Sequence, residues 1–422
     1  MAQRCVFTIV AKNYVGLANL LQKSLKQHTQ ELDFYICVAD ELDNSDYPEN
    51  VIELKDKIDI EASLWLEMSF KYNLTEFCTA VKPFAFKYLF KQGYTKVIYM
   101  DPDIYVFNCL EPIFCELDSF NVVLTPHVVG MHLDYKGEHD ESLILWEGSY
   151  NLGFCGLSYS CKVMNMLEWW GNKLKDECFA YKGYPYCYDQ KWMVLLNCYF
   201  NHDEILISRN LGYNIAPWNY FERKVFFENG QYKVKYRSDD CGEESYPVTF
   251  VHFAGYKYKD LIKGEVKRSR LSINDYTDIS ELLNVYIKEF QNNAASMEKY
   301  LYLPYSYDCY YDGSKIEKIH RSIYNGLRKK GYPVGNPYLT GKGTLNYYIH
   351  KSHLLTGSQI ESYNMASYQG ISKKEKMLDI YYRLLKLLLG FKNYLLFQKS
   401  LHIYVNPEKQ SILLEKYYKN SK

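Results

Sequence analysis

Two aspartates separated by a proline lie between two apolar runs in the stretch KVIYMDPDIYVF, residues 96–107. Pro102 cannot donate to a sheet ladder, so it predicts the end of a strand. Alternate residues of an extended chain point to the same side, so Asp101 and Asp103 should converge. Two carboxylates at such a short distance repel each other unless a cation or a proton lies between them. Oxygen ligands suit Mg²⁺ or Mn²⁺, which makes a metal site one interpretation and a solvated turn the other.

The elements around this motif predict a parallel sheet that would hold it. Residues 5–11 form a β-branched apolar run, residues 12–28 place leucines on one helical face, and residues 32–40 form a second apolar run. Strand, helix and strand at this spacing indicate a βαβ unit. Similar patterns predict further strands at 121–127, 149–160 and 248–256, and helices at 75–94, 161–177 and 189–200. Open α/β sheets bind ligands beyond the carboxyl ends of their strands, which is where Asp101 and Asp103 should lie.

The pattern becomes helical beyond about residue 275. Segments 278–302, 314–331 and 373–397 have helical periodicity, and the Pro- and Gly-rich segment 332–348 predicts a loop. We therefore predict an α/β domain over 1–275 and a helical region over 276–422.

Composition excludes some classes of function. The 422 residues carry no net formal charge, and 47% of them are hydrophobic. A chain of this kind can bury a large core, and it lacks the basic surface that general nucleic-acid binding requires. Its 44 tyrosines suit sugar faces but also suit core packing, so they decide little.

The compartment is predicted from cysteine usage and from the apolar segments. Twelve scattered cysteines without a C-x-x-C pair are not the framework of a small secreted protein. The start does not resemble a signal peptide, and no apolar run reaches the length of a membrane span. We expect a cytoplasmic protein with reduced thiols.

Several motifs together resemble the GT-A-fold glycosyltransferases, closest to the retaining family 8 type that includes glycogenin and the lipopolysaccharide galactosyltransferases. They occur in family order over about residues 5–260 and comprise TIVAKNY, TAVKPFAFKYLF, KVIYMDPDIYVF, YNLGF, YDQKW and VTFVHFAGYKYK. This resemblance implies an α/β fold of the GT-A type, a Rossmann-like mixed sheet flanked by helices. It also implies a UDP-sugar donor and a saccharide or lipid-linked saccharide acceptor.

The resemblance assigns a metal site and a nucleotide site. Asp101, Asp103 and His252 would hold Mn²⁺ or Mg²⁺, and a nitrogen ligand favours Mn²⁺. A hydrogen-bonded core histidine is the alternative for His252. The residues implied for the nucleotide are Ala11, Asn13, Tyr14, Lys82, Gly255 and Lys257.

The phosphate-binding lysine is the point where this sequence departs from the family. The family places it six residues after the histidine, and Tyr258 occupies that position here, between Lys257 and Lys259. The choice between these two lysines stays open. Gly255 would let the backbone approach the diphosphate closely.

Asn151, Asp189 and Gln190 match the family's donor-sugar contacts. Asp189 would bind sugar hydroxyls and Gln190 would lie near the anomeric carbon. Asp189 also suits the start of a helix, and both roles are compatible. Because no carboxylate is an evident nucleophile, we expect retention by front-face displacement.

Segment 373–397 interleaves basic residues with leucines and aromatics. It predicts either a helix on an anionic membrane surface or one packed on the catalytic domain with a basic outer face.

Two other functions compete with the transferase. An aspartyl-nucleophile phosphatase also uses D-x-D after a strand, but it requires Thr or Val where Tyr105 stands. A non-catalytic sugar-nucleotide-binding protein is the other alternative.

Overall fold

The computed structural model describes residues 3–29, 31–238, 244–266, 275–355 and 371–419, with only the backbone at 371–375 and 402. The chain forms two compact units. The first comprises Met1–Ala62 and Leu74–Ser306, and the second comprises Ser63–Asn73 and Tyr307–Lys422.

The twelve strands of the described residues all lie in the first unit. They are β1 Arg4–Val10, β2 Asp33–Val38, β3 Val51–Glu53, β4 Lys96–Met100, β5 Ile104–Val106, β6 Val122–Pro126, β7 Tyr150–Ser158, β8 Ile205–Ile207, β9 Arg223–Glu228, β10 Gln231–Tyr236, β11 Tyr246–Pro247 and β12 Phe250–His252.

The α-helices of the described residues are distributed over both units. They are α1 Val15–His28, α2 Ala62–Lys71, α3 Leu74–Ala80, α4 Lys82–Lys91, α5 Glu111–Ser119, α6 Glu141–Glu147, α7 Cys161–Leu174, α8 Gln190–Met193, α9 Leu196–Tyr199, α10 Tyr258–Leu261, α11 Thr277–Asn292, α12 Ala294–Leu301, α13 Lys318–Lys329, α14 Leu345–Lys351, α15 Ile371–Tyr404 and α16 Glu415–Tyr418.

Seven strands form one mixed sheet in the order β3-β2-β1-β4-β7-β6-β8. β1 pairs in parallel with β2 and β4, whereas β7 runs antiparallel to both β4 and β6. This confirms the predicted α/β class with a mixed sheet flanked by helices. Two smaller sheets, β11-β10-β9 and β12-β5, complete the strand pairing.

The first unit is built on two apolar clusters. One joins β1, β2 and β4 to α1 and α5, and the other joins β12 to α11 and α12. Helices α11 and α12 belong to this core, since Tyr286 and Phe290 of α11 are fully buried and Phe253 stacks on Tyr286 at 4.2 Å. The units therefore divide after Ser306, beyond the boundary that the sequence predicted at residue 275.

The second unit has a core of its own around Arg321. The Arg321 guanidinium donates to the carbonyl oxygens of Ser69, Phe70 and Tyr72 on the segment of α2, and to that of Tyr307. These bonds satisfy carbonyl groups at the end of a helix. They explain why a short early segment belongs to the later unit, which nothing in its sequence indicates.

Local breaks divide three of the predicted helices. Residues 75–94 form α3 and α4, with Pro83 in the first turn of α4, where its missing N–H costs nothing. The predicted helix 189–200 is two single turns, α8 and α9, and 278–302 is α11 and α12. The predicted loop 332–348 is a loop up to residue 344, and its last residues, from Leu345, form the first turn of α14. Within the described residues, no helix is both long and apolar enough to cross a bilayer.

Candidate active site

The Asp101-Pro102-Asp103 segment lies where β4 ends, as the sequence predicted. The Asp101 N–H donates to the Gly153 carbonyl at 2.8 Å, so the motif is held against β7. The Ile104 N–H then donates to the Asp101 carbonyl at 3.1 Å, which closes a turn leading into β5. β4 and β5 are buried at every position, whereas the Asp101 and Asp103 side chains are 30% and 29% exposed. The two carboxylates are therefore the open end of an otherwise buried segment.

His252 is brought to these carboxylates by strand pairing. β12 runs antiparallel to β5 with His252 opposite Ile104, and the Phe253 N–H donates to the Asp103 carbonyl at 3.0 Å. His252 Nε2 lies 3.1 Å from Asp103 Oδ1 and 3.6 Å from Asp101 Oδ2. The structure thus joins His252 to two carboxylates that lie about 150 residues earlier in the sequence.

A glycine and a tryptophan fix the His252 ring. A Cβ at Gly153 would lie 2.3 Å from His252 Cε1, so no larger residue fits there without movement of the ring. The Trp218 ring meets the imidazole edge-on, with centroids 5.3 Å apart and planes at 87°. His252 Nδ1 is buried and has no hydrogen-bond partner among the described residues, which leaves Nε2 as the nitrogen facing the carboxylates.

Asp101, Asp103 and His252 form a trio in which the pKa values of Asp101 and His252 depend on burial and on the short distances between the three side chains. Burial raises the pKa of Asp101, and repulsion from Asp103 adds to this rise, while Lys82 and His252 oppose it. Burial alone would lower the pKa of His252, but the carboxylates of Asp103 and Asp101 outweigh it, so the pKa is raised. Tyr99 donates its hydroxyl to Asp101 Oδ1 at 2.5 Å. Among the described residues, His252 therefore lies beside both carboxylates, and Tyr99 donates to that of Asp101.

The residues present fit a divalent cation. One atom from each of Asp101, Asp103 and His252 can be chosen so that all three lie within 4.8 Å of one another. Two carboxylates with one imidazole form a mixed oxygen and nitrogen donor set, which suits Mn²⁺ and also Mg²⁺. A cation at this point would neutralise the excess negative charge of the trio.

A second ionic cluster lies beside the trio. Lys82 Nζ is 2.5 Å from Asp189 Oδ2, in an ion pair without hydrogen-bond geometry, and it donates to the Leu152 carbonyl at 2.9 Å. It also lies over the Tyr99 ring, 4.1 Å from its centroid. Both side chains of the pair are almost fully buried. The resemblance predicted that Lys82 would bind the nucleotide. In the structure its ammonium group forms an ion pair with Asp189.

Asn151 of β7 and Gln190 of α8 both bond the stretch of β7 that precedes and includes Gly153. Asn151 Oδ1 accepts from the N–H of Gly153 and from the amide of Asn214, both at 3.1 Å. Gln190 Oε1 accepts from the Leu152 N–H at 3.4 Å. The structure therefore places Asn151, Asp189 and Gln190 around one short stretch of β7, residues 151–153.

The loop after β1 carries the three residues assigned to the nucleoside. Ala11 is buried, Tyr14 is partly exposed, and Asn13 Oδ1 is buried without a hydrogen-bond partner in the described part of the chain. Burial and the nearby Asp103 charge both raise the pKa of Tyr14.

The sequence reasoning missed two further residues at this loop, Lys12 and Asp40. Asp40 is fully buried beyond β2 and accepts from the Lys12 N–H at 2.9 Å. Lys12 Nζ lies 3.8 Å from the other Asp40 oxygen and bonds the Ser306 hydroxyl at 2.7 Å. Burial raises the pKa of Asp40 to about 6. An acid at the end of a predicted strand was the available signal.

Tyr258, which stands where the resemblance implies a phosphate-binding lysine, is a packing residue of the segment after β12. Its ring is buried, 5.5 Å from the Tyr14 ring, and its hydroxyl donates to the Met297 carbonyl at 3.3 Å. Lys257 and Lys259 on either side are exposed, and Gly255 has a φ of +77° that favours glycine. Tyr258 therefore serves packing, and both lysines keep free access to solvent.

A group of histidine and aromatic rings adjoins the trio through Trp218, and no sequence motif indicated it. The Trp218 ring contacts His127 and His139 at centroid distances of 5.5 and 6.0 Å. Burial lowers the pKa of His127 to about 4, so it is neutral at pH 7. His139 Nδ1 is 3.1 Å from Glu147 Oε2.

No protein-family model matches the chain. A Bacillus subtilis (strain 168) protein, the uncharacterized YfnF, is 24% identical over 270 residues, which cover 62% of this chain and 84% of YfnF.

Similar solved structures include three glycosyltransferases. The first, involved in glycosylation of the major capsid of PBCV-1, has 8% identity and a TM-score of 0.33, covering 60% of this chain and 94% of that one. Galactosyltransferase LgtC, in complex with donor and acceptor sugar analogs, has 17% identity and a TM-score of 0.39, covering 69% and 95%. GlyE of Streptococcus pneumoniae TIGR4 has 15% identity and a TM-score of 0.31, covering 50% and 48%. Since these TM-scores are below 0.5, the similarities carry no argument about function.

Proposed function

We propose that this chain is a metal-dependent glycosyltransferase of the GT-A type, which moves a hexose from a UDP-sugar to a saccharide or lipid-linked saccharide acceptor. The observation that carries the proposal is the convergence of Asp101, Asp103 and His252 at the carboxyl edge of the sheet. The proposal includes a cytoplasmic site of action in bacterial surface polysaccharide or glycan synthesis.

The metal would be held by one oxygen from each aspartate and by His252 Nε2. When bound, Mn²⁺ or Mg²⁺ stabilises the negative charge that develops on the departing nucleoside diphosphate. Tyr99 keeps Asp101 oriented through its hydroxyl, and Trp218 with Gly153 keeps the imidazole edge toward the carboxylates. The protein thus supplies a prearranged anionic site.

The nucleoside diphosphate would bind across the loops after β1 and β12. Ala11, Asn13 and Tyr14 would contact the uracil and ribose, with the buried Asn13 Oδ1 as an acceptor that a base or ribose donor can satisfy. Gly255 would let the backbone approach the phosphates, and the exposed Lys257 or Lys259 would neutralise them.

The donor sugar would lie against β7 and α8. Asp189, oriented by Lys82, would accept hydrogen bonds from sugar hydroxyls, and Gln190 would lie near the anomeric carbon. Direct contact of Lys82 with phosphate would require it to leave Asp189, so we assign Lys82 the orientation of that carboxylate. Retention would follow front-face displacement, in which the leaving phosphate accepts the proton of the acceptor hydroxyl.

A screen of UDP-sugars for metal-dependent release of UDP tests the proposal. We expect turnover or slow hydrolysis of at least one UDP-hexose with Mn²⁺, and its loss when EDTA is added. Asp103→Asn should lower the rate about 1,000-fold or more, since a metal stabilises the transition state by several kcal/mol.

Asp203→Asn is the matched control, because Asp203 is an exposed aspartate in the turn before β8 and is not one of the three proposed ligands. It should keep full activity. The absence of UDP-sugar binding to the wild-type chain, or full activity in Asp103→Asn, would exclude the proposed function.

A further inference from the structure

Helix α15 of the second unit presents an unusual amount of apolar surface to solvent. Leu387 and Leu388 are 74% and 82% exposed. Other large apolar side chains on α15 that are at least 50% exposed are Met377, Leu378, Ile380, Tyr381, Leu384, Phe391, Leu396, Ile403 and Tyr404. Monomeric proteins rarely leave a contiguous apolar patch of this kind uncovered, so it indicates a binding surface.

The charged residues of the α15 segment 376–389 have the spacing of a single stripe. Residues 376–389 contain four charged side chains, Lys376, Asp379, Arg383 and Lys386, at successive spacings of three, four and three residues. This is the spacing of one face of an α-helix. The apolar residues between them cover the rest of the circumference, so the segment is a broad apolar face with a narrow charged edge.

A break separates this half from the rest of α15. Gly390 has non-helical angles, φ +69° and ψ 158°, so α15 consists of two helical segments that meet at this residue. A left-handed φ suits glycine, which makes the change of direction a built feature of the chain. Residues 376–389 are therefore a separate amphipathic segment of about 21 Å at 1.5 Å per residue.

The charge balance identifies what covers the apolar face. Over residues 376–405, five Lys or Arg residues face one acidic residue, in a chain whose total formal charge is zero. A second copy of this surface would bring like charges together, whereas an anionic lipid surface is complementary to them. An apolar face edged by basic residues is the pattern of helices that lie in the membrane interface.

We infer that residues 376–389 bind in the plane of an anionic membrane, with the leucine-rich face among the acyl chains and the basic stripe at the headgroups. This adds a binding activity to the proposed transferase and does not depend on its chemistry. It places the enzyme on the kind of surface where a lipid-linked acceptor is held.

Co-sedimentation of the full-length protein with vesicles tests the inference. We expect binding to vesicles of phosphatidylcholine with phosphatidylglycerol, weaker binding to phosphatidylcholine alone, and a decrease as salt rises. The triple variant Lys376→Gln/Arg383→Gln/Lys386→Gln should bind the anionic vesicles on the order of 100-fold more weakly.

Two further variants separate charge from apolar insertion. Leu384→Glu/Leu388→Glu should abolish binding to both kinds of vesicle, because it places charge in the apolar face. The matched control Lys26→Gln/Lys224→Gln/Lys288→Gln changes three exposed lysines of the first unit and should bind like the wild type. All altered side chains are exposed, so every variant should fold and keep its rate of UDP-sugar hydrolysis.

Three outcomes would overturn the inference. The first is equal binding of the wild type to anionic and neutral vesicles, and the second is equal binding by the wild type and either α15 variant. The third is a wild-type dimer in sedimentation velocity that binds no vesicles and dissociates in Leu384→Glu/Leu388→Glu, which would assign this face to a second copy. Failure of vesicle binding with intact UDP-sugar turnover would leave the proposed function unaffected.

Discussion

The two ionic clusters of the candidate site differ in how they balance charge. In the Lys82–Asp189 pair, one cation meets one anion, and the side chains are only 2% and 4% exposed. In the trio, two carboxylates that are 30% and 29% exposed share His252. A buried charge requires a partner, and the pair provides it internally. The trio places two carboxylates beside one histidine at the more open end of the site, where an added cation can bind.

The largest effect should come from breaking the buried pair. Lys82→Met should lower the free energy of unfolding by about 3–5 kcal/mol, because it leaves Asp189 buried without its cation. The double variant Lys82→Met/Asp189→Leu should recover most of this loss, since it removes both charges. Urea denaturation of the three proteins measures the effect. If the double variant were as unstable as Lys82→Met, the loss of stability would come from lost side-chain packing and not from the unpaired charge of Asp189.

The Lys12–Asp40 pair is also buried, but its charged atoms are farther apart, at 3.8 Å, than those of Lys82 and Asp189. Its contribution to stability can be measured by changing the pH. Burial raises the pKa of Asp40 from its ordinary value of 3.8 to about 6 in the folded protein, so the folded state binds this proton more tightly than the unfolded chain does. Its contribution to stability is complete below about pH 4 and declines by up to about 3 kcal/mol as the pH rises through 6.

Comparison of wild type with Asp40→Asn in denaturant at pH 4 to 7 isolates this contribution. The difference between the two curves should change over that window and stay constant above it. A constant difference throughout would mean that Asp40 titrates as a solvated carboxylate.

Metal addition should act on the trio alone. Mn²⁺ at 100 times its dissociation constant should raise the free energy of unfolding by about 2.7 kcal/mol, and Asp103→Asn or His252→Gln should lose most of this gain. Because the carboxylates raise the pKa of His252, a proton competes with the metal, and the gain should shrink as the pH falls.

Differential scanning calorimetry with and without Mn²⁺ measures these shifts, and Lys82→Met provides the contrast. It should retain a metal-dependent shift from its lower starting stability. An equal Mn²⁺ response in wild type and His252→Gln would remove His252 from the site.

The smallest effect should follow Gly153→Ala. The added methyl would meet His252 Cε1 at 2.3 Å and displace the ring, at a cost of about 1–3 kcal/mol. The Mn²⁺ affinity should fall further than the stability alone explains, and titration calorimetry measures it. Gly156→Ala on the same strand is the control, because its nearest neighbour would be a leucine methyl at 3.3 Å. Equal metal affinity in both variants would show that the imidazole position is not decisive.

The sequence predicted the parts of the site that local pattern encodes. Pro102 predicted the end of β4, and the convergence of Asp101 and Asp103 followed from the extended backbone. The contact of His252 with them depends on the pairing of β12 with β5, which no local pattern reports, and it was expected only because of the family resemblance.

Contacts between distant side chains account for what the sequence did not predict. The ion pair of Lys82 with Asp189 and the edge contact of Trp218 with His252 both join residues of separate elements. Likewise, the carbonyl groups that place α2 in the second unit meet their donor, Arg321, only after the later helices form. Periodicity and turn residues carry no information on such pairings.

The pairing of β5 with β12 also sets when the site can exist during synthesis. β5 leaves the ribosome long before β12, which lies about 150 residues later in the sequence. His252 can therefore contact Asp101 and Asp103 only after β12 has been synthesised and has paired with β5. Closing so long a loop is slow, so binding of the proposed metal would be a late event in folding. A nascent chain that ends before β12 would carry the two carboxylates without their imidazole, so metal binding would report completion of the first unit.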